Sequence, residues 1–219
     1  MTVINHHPSD DVLLRYVGGG YDTGYSLVLA AHISMCPKCQ NTVAMHQHIG
    51  GQALDAQNPA EMSLSAFDLL DNAPEPANDR VSDLHPGYSK ELGMTVPPIL
   101  NSYLPKSFDA LKWQRLSPSL KQHVLSVEGQ AVARLLWMAP GKAVPAHGHT
   151  GEEISLIMSG GYHDGDVAYS AGDLHWADHK TPHVPVAMED APCLVLAATD
   201  SPLQFSNVIP RLLQPLFKI

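Results

Sequence analysis

The sequence predicts an α+β protein, with a small helical bundle first and an all-β barrel after it. Apolar residues recur at helical spacing through residues 9–71, whereas short apolar runs separated by glycine turns begin near Ile99. The stretch between them is rich in proline and poor in apolar residues, which is typical of a linker. The expected organisation is a helical domain over residues 1–72, a linker over 73–98 and a β domain over 99–219.

Three helical segments are expected in the first domain. The first begins at Ser9 or Asp10, which are good N-caps, and ends at a run of three glycines. The second covers residues 23–54, and Pro37 either kinks it or divides it in two. The third segment, residues 64–71, is short and amphipathic.

Short apolar runs bounded by turn residues predict the strands of the second domain. The expected strands cover residues 124–127, 131–138, 153–158, 166–169 and 193–197. Several short strands at this spacing favour a sandwich or a small barrel. A closing helix over residues 208–217 is the interpretation of the last apolar run, although Pro210 and Pro215 disfavour it.

The net charge of the chain indicates which kinds of partner it can bind. The net charge is -9, with 13 Lys and Arg against 22 Asp and Glu. Such a balance repels nucleic acid and anionic membranes and favours a basic protein partner. The first residues lack the pattern of a signal peptide, and the longest apolar stretch, residues 27–33, is too short to span a bilayer. These features predict a cytoplasmic protein that does not bind nucleic acid directly.

The first candidate metal site lies in the helical half. His32, Cys36 and Cys39 follow the spacing H-x3-C-x2-C, which places one imidazole and two thiols near one face of a helix. These are three of the four ligands of a tetrahedral Zn2+ site, and His6 or His7 supplies the fourth. The alternatives are a chance C-x-x-C and a redox pair, although redox pairs of the thioredoxin type follow a strand.

The second candidate site lies in the β half. His147 and His149 alternate on a strand and therefore share a face, and Glu153 begins the next strand. With Gly141 and Gly160, these residues match the first motif of the cupin family at every defined position. The resemblance implies a double-stranded β-helix barrel with a metal inside it.

A fourth ligand of the second site comes from a later strand in cupins. The candidates here are His175, His179 and His183. The resemblance favours His183, because it lies in a His-x-Pro-Val segment, and His175 is the runner-up. Three histidines and a glutamate bind Zn2+, Fe2+, Mn2+ or Ni2+, and the resemblance favours zinc. The other histidines (His46, His48, His85, His123 and His163) have no ligand spacing, and Cys193 is expected to be a buried apolar residue.

The first site, with His7 as its fourth ligand, resembles the zinc-binding anti-sigma domain. That resemblance implies a module that sequesters an extracytoplasmic-function sigma factor. The apolar face of the segment 64–71 would then contact the partner, through Leu64, Phe67, Leu69 and Leu70. The alternative for this face is ordinary packing within the chain.

Both sites together resemble the ChrR-type anti-sigma factors, in which a zinc anti-sigma domain precedes a cupin. The resemblance implies a non-enzymatic regulator that releases its sigma factor when the cupin senses singlet oxygen or an organic peroxide. A metal-dependent cupin enzyme of the dioxygenase type, with a structural zinc module, is the main alternative, and a zinc-storage protein is another. A homodimer through the cupin also stays open.

Overall fold

The computed structural model of the protein describes residues 3–59, 88–89, 94–105, 110–177 and 182–205. Its N-terminal part contains the helices α1 (Asp10–Val17), α2 (Thr23–Met35) and α3 (Pro37–Asp55). The proline predicted to interrupt the second helix divides it, because Pro37 opens α3, where its missing N–H group costs nothing. The segments predicted over 64–71 and 208–217 lie outside the described residues.

Short antiparallel strands account for most of the remaining described chain. They are β1 (Tyr88–Ser89), β2 (Met94–Thr95), β3 (Gln114–Ser117), β4 (Leu120–Val124), β5 (Val132–Met138), β6 (His147–His149), β7 (Glu153–Ser159), β8 (Gly161–Asp164), β9 (Val167–Ser170), β10 (Leu174–Ala177), β11 (Val186–Ala187), β12 (Cys193–Thr199) and β13 (Leu203–Phe205). The pair β1–β2 lies within the stretch predicted as a linker, and a 3₁₀ helix, Pro98–Ser102, follows it.

The β half consists of one large sheet and smaller ones. The large sheet has the order β10-β7-β12-β5-β4-β3, a three-stranded sheet has the order β11-β8-β9, and β13 pairs with β6. The strand predicted over residues 124–127 is wrong, because β4 ends at Val124. Leu125 and Val127 are apolar because they pack in the core under the helices, not because they extend a strand.

The large sheet is buried on both faces. Helix α2 packs on the outer face of the sheet, against β5, β7 and β12, in a core that includes Val28, Leu135 and Leu196. The inner face lines a second core, which includes Met138 and Val195. Burial on both faces explains why β12 is almost continuously apolar, and why nearly every residue of β7 is buried rather than every second one.

The start of α2 is fixed to the β half by specific contacts. The Asp22 carboxylate accepts hydrogen bonds from the backbone N–H groups of Gly24, Gln130 and Ala131, at 3.0, 2.8 and 3.2 Å. A Cβ atom at Gly24 would lie 2.9 Å from the Ala131 carbonyl oxygen, so only glycine allows this approach. The helical module and the barrel are therefore packed together rather than joined only through the chain.

Candidate metal centres

The first cluster joins three parts of the helical module. His7 precedes α1, His32 lies in the last turn of α2, Cys36 stands between α2 and α3, and Cys39 lies in the first turn of α3. One ligand atom from each lies within 4.8 Å of the others. Because the helix breaks at Cys36, one thiol reaches the imidazole from the junction of α2 and α3 and the other from the first turn of α3, not from one continuous helix face.

The spacing within this cluster fits a tetrahedral zinc ion. The His32 Nε2 atom is 3.3 Å from Cys39 Sγ, and the His7 Nδ1 atom is 3.3 Å from Cys36 Sγ and 3.6 Å from Cys39 Sγ. Zinc bonds of about 2.0–2.3 Å at tetrahedral angles separate nitrogen and sulfur ligands by about 3.3–3.8 Å. The side chains therefore already stand at the separations that the ion requires.

Burial changes the pKa values of the side chains in this cluster. His32, Cys36 and Cys39 are almost completely buried. Burial lowers the pKa of His32 to about 4 and, with Cys36 beside it, raises the pKa of Cys39 to about 12. The imidazole is therefore neutral, and the thiol gives up its proton only when a cation replaces it.

The β half supports the first cluster directly. The Nδ1–H group of His32 donates to the Gly172 carbonyl oxygen at 2.9 Å, which leaves Nε2 as the donor atom for a metal. The Asp173 carboxylate accepts from the backbone N–H groups of Asn5 and His6, at 2.6 and 2.9 Å. His6 itself stands 3.4 Å from Asp173 and outside the cluster, so the structure brings His7 and not His6 to the site.

The second cluster lies at one end of the barrel interior. His147 and His149 extend from β6, Glu153 begins β7, and His183 is bound to His147 through a pair of backbone hydrogen bonds. The His183 Nε2 atom lies 2.9 Å from His147 Nε2 and 3.0 Å from His149 Nε2, and the Glu153 carboxylate is 3.5 Å from His149. All four residues are buried or nearly so.

Hydrogen bonds at the Nδ1 atoms of His147 and His183 determine the protonation of the Nε2 atoms, which face the cluster. The Nδ1–H group of His147 donates to the Pro145 carbonyl oxygen, and that of His183 donates to the Asp164 carboxylate, both at 2.8 Å. In the neutral rings the Nε2 atoms therefore hold lone pairs, which point at each other across 2.9 Å. Two lone pairs at this distance repel each other unless a cation lies between them, so the donor set fits a metal ion.

Charge and spacing support the same interpretation. Burial lowers the pKa of His147 to about 4 and also lowers that of His149. Burial works to raise the pKa of Glu153, but the surrounding histidines hold it below its usual value, so the group is a carboxylate. Nitrogen atoms about 3.0 Å apart correspond to about 90° angles at a metal with bonds of about 2.1 Å. Such angles leave room for ligands beyond the four side chains.

His175, the runner-up ligand, has another role in the structure. Its Nδ1 atom is 2.8 Å from the Tyr162 hydroxyl, and its Nε2 atom is 3.8 Å from the Asp164 carboxylate. It belongs to a neighbouring group with Asp164 and His183 rather than to the cluster of four. The sequence gives Asp164 and Asp173 only as turn residues, so neither supporting carboxylate was predicted.

The other candidates are placed as follows. Leu64, Phe67, Leu69, Leu70, His85 and His179 lie outside the described residues. The Nε2–H group of His46 donates to the Asp10 carboxylate at 3.2 Å. Cys193 is fully buried in the barrel, where burial raises its pKa to about 12.

Comparison with known proteins shows the family of the chain. Residues 105–201 match the family described as the ChrR cupin-like domain. The anti-sigma-E factor ChrR of Cereibacter sphaeroides is 34% identical over 220 residues, which is 99% of each chain. The chain belongs to the ChrR family of anti-sigma factors.

The structure agrees with this membership of the ChrR family. A chain in the crystal structure of Rhodobacter sphaeroides SigE in complex with the anti-sigma ChrR superposes with a TM-score of 0.76 at 31% identity, covering 90% of this chain and 100% of that one. The predicted fold class, a helical bundle followed by a cupin barrel, is confirmed. Among the described residues no helix is both long and apolar enough to cross a bilayer.

Proposed function

We propose that this chain is an anti-sigma factor that binds an extracytoplasmic-function sigma factor and releases it when the cupin senses singlet oxygen or an organic peroxide. The observation that carries the proposal is the relationship to the anti-sigma-E factor ChrR over almost the whole of both chains. The protein acts by occlusion and carries out no reaction. It works in the cytoplasm without contacting nucleic acid, and a homodimer through the cupin stays open.

The helical module, proposed to span residues 1–72, supplies the partner surface. Leu14 on α1 and Met45 and Ile49 on α3 are more than half exposed, and α1 packs against α3. Met45 and Ile49 are four residues apart and therefore lie on one helix face. Exposed apolar side chains grouped in this way mark a protein interface. Leu64, Phe67, Leu69 and Leu70, which lie outside the described residues, are proposed to contact the partner as well.

A zinc ion at the first cluster holds the partner surface in shape. Apart from the face of α2 that packs on the sheet, the module has only a small core of its own, around Leu13, Cys36, Cys39 and Val43. A metal that joins His7 to Cys39 links the segment before α1 to both later helices, so binding energy of the ion becomes folding energy of the module. The cupin cluster is proposed to hold zinc, with Fe2+, Mn2+ or Ni2+ as alternatives.

The signal is proposed to pass through the loop before β10. Gly172 and Asp173 bind the first cluster and the segment that carries His7, while His175, two residues further on, stands beside the cupin cluster. A change in the cupin cluster that moves β10 therefore also moves two supports of the zinc site. Such a movement loosens the module and favours release of the partner.

Co-expression with a candidate sigma factor tests the proposal. The wild-type chain is expected to co-purify with the sigma factor, and Cys36→Ser is expected to lose it because one zinc ligand is gone. Gln47→Ala, which changes an exposed glutamine on the side of α3 opposite Met45 and Ile49, is the matched control and keeps binding. If Cys36→Ser holds the sigma factor as tightly as the control does, the zinc cluster has no part in partner binding.

A metal-dependent dioxygenase is the second candidate function. It is favoured by a mostly apolar cavity that His147 and Glu153 line together with aliphatic side chains of the barrel. A metal there would have coordination positions to spare. Sustained oxygen consumption by the metal-loaded chain with an added substrate would favour this function over regulation.

A further inference from the structure

The barrel interior contains a positive charge that nothing in the proposed function uses. Arg134 extends from β5 into the cavity beside the cupin cluster and is only 3% exposed. Its Nη1 and Nη2 groups donate to the neutral side chains of Gln122 and Thr199, at 3.4 and 3.1 Å. Its Nε–H group is buried without a hydrogen-bond partner.

A buried guanidinium requires a negative charge nearby. Within the described part of the chain, no carboxylate lies close enough to Arg134 to form an ion pair with it. Glu153 lines the same cavity, but its oxygens already face Ser155 Oγ at 3.0 Å and His149 Nε2 at 3.5 Å. Glu153 acts on Arg134 only through space, because its oxygens are committed to Ser155 and His149. The guanidinium therefore has only neutral hydrogen-bond partners among the described residues, and the cavity favours an anion.

Most of the remaining wall of the cavity is aliphatic, with Tyr162 as its aromatic member. Leu136 and Met138 extend from β5 on the same face as Arg134, and Leu120, Val144 and Val195 lie around them. The polar groups are thus concentrated where Arg134 and the cupin cluster stand, and the rest of the space suits an apolar body. An inorganic anion would leave this aliphatic wall without contacts.

The size of the cavity limits the ligand. Its volume is about 50 Å³. One water molecule takes up about 10–15 Å³ on this measure, so the space holds about three to five groups of that size. A short aliphatic chain fits, whereas a fatty acid does not.

We propose that the cupin interior binds a short-chain aliphatic monocarboxylate, with its carboxylate on the Arg134 guanidinium and its alkyl tail against Leu136, Met138 and Val195. The Arg134 guanidinium, which lines the cavity, supplies the N–H donors that a carboxylate accepts. This inference concerns the barrel alone and holds whether or not the chain binds a sigma factor.

Titration of the full-length, zinc-loaded chain with ¹³C-labelled propionate, followed by NMR and calorimetry, tests the inference. Propionate is expected to bind saturably. Propionamide has the shape of propionate without its charge, whereas formate has the charge without the alkyl tail. Each of these two ligands is expected to bind at least about tenfold more weakly than propionate. Equal binding of propionate and propionamide, or of propionate and formate, overturns the inference without the use of any variant.

Two variants localise the binding. Arg134→Gln is expected to weaken propionate binding by about tenfold to a hundredfold, the loss of a charge-assisted hydrogen-bonded pair. Arg115→Gln, at an exposed arginine on β3, is the matched control and is expected to bind propionate like the wild type. Zinc content and circular dichroism show whether Arg134→Gln keeps its metal and fold. Propionate binding unchanged in folded Arg134→Gln contradicts the proposed site.

Discussion

Replacement of Asp173 by asparagine tests the connection between the barrel and the zinc module. Asp173 is 1% exposed, and its carboxylate accepts three backbone N–H groups: Asn5 and His6 on one oxygen, and Ser170 at 2.8 Å on the other. Asparagine has one acceptor oxygen, so at least one of these part-buried N–H groups loses its partner. That loss costs about 1–3 kcal/mol, and the loss of charge assistance at the other two bonds costs about 1 kcal/mol each.

The total loss of stabilisation is about 3–5 kcal/mol. Two of the three affected hydrogen bonds hold the segment that carries the zinc ligand His7. Hydrogen exchange measured by mass spectrometry is the assay. Protection of the Asn5 and His6 amides is expected to fall by about a hundredfold or more, at about tenfold per 1.4 kcal/mol. The core strands β7 and β12 are expected to keep most of their protection.

The matched control is Asp166→Asn, an exposed carboxylate in the turn between β8 and β9. It is expected to exchange like the wild type at every amide. If Asp173→Asn leaves the Asn5 and His6 amides as well protected as in this control, the Asp173 contacts do not hold the segment, and the proposed signal path through β10 is refuted.

Three further predictions concern single side chains. Asp22→Ala lowers the free energy of unfolding at pH 7 by about 2 kcal/mol. Burial works to raise the pKa of Asp22, but hydrogen bonds from backbone N–H groups hold this pKa below its usual 3.8. The stability difference between wild type and variant is therefore present above pH 3.8 and is lost as the pH falls through the folded-state pKa. Urea unfolding of both proteins between about pH 7 and 3 measures this difference. Asp164→Asn weakens zinc binding at the cupin cluster by about tenfold to a hundredfold, because His183 loses its charged partner; competition with a chelator measures the change, and an unchanged affinity would contradict the role of Asp164. Ile49→Lys weakens sigma-factor binding by at least about tenfold without changing helix content, whereas Gln47→Lys, at an exposed residue on the opposite side of α3, leaves the binding unchanged. Equal sigma-factor binding by both variants would exclude the face of Met45 and Ile49.

Local spacing explains why so much of the two clusters was predicted from the sequence. His147, His149 and Glu153 lie close along the chain, so the alternation of a strand brings them together without knowledge of the whole fold. The cluster of His32, Cys36 and Cys39 was likewise predictable, although the expected reason was incomplete. Pro37 starts a new helix, so the thiols approach from a helix junction rather than from one face.

The supporting residues could not be predicted, because their roles depend on contacts between distant parts of the chain. Asp173 binds residues 167 and 168 positions away, and no short motif encodes such a contact. Arg134 interrupts an apolar strand and gives no indication from sequence of which face it occupies. The apolar character of α2 shows that it is buried but does not show that it packs on a sheet rather than in a helical bundle.

X-ray absorption at the zinc edge tests the central claim most directly. The full-length chain would carry His147→Ala and His183→Ala, so that zinc remains only at the cluster of the helical module. We predict one zinc ion per chain with two sulfur ligands at about 2.3 Å and two nitrogen ligands at about 2.0–2.1 Å. A zinc spectrum without sulfur ligands, or a chain that retains no zinc after purification, would contradict the claim that Cys36, Cys39, His7 and His32 hold the module together through a metal.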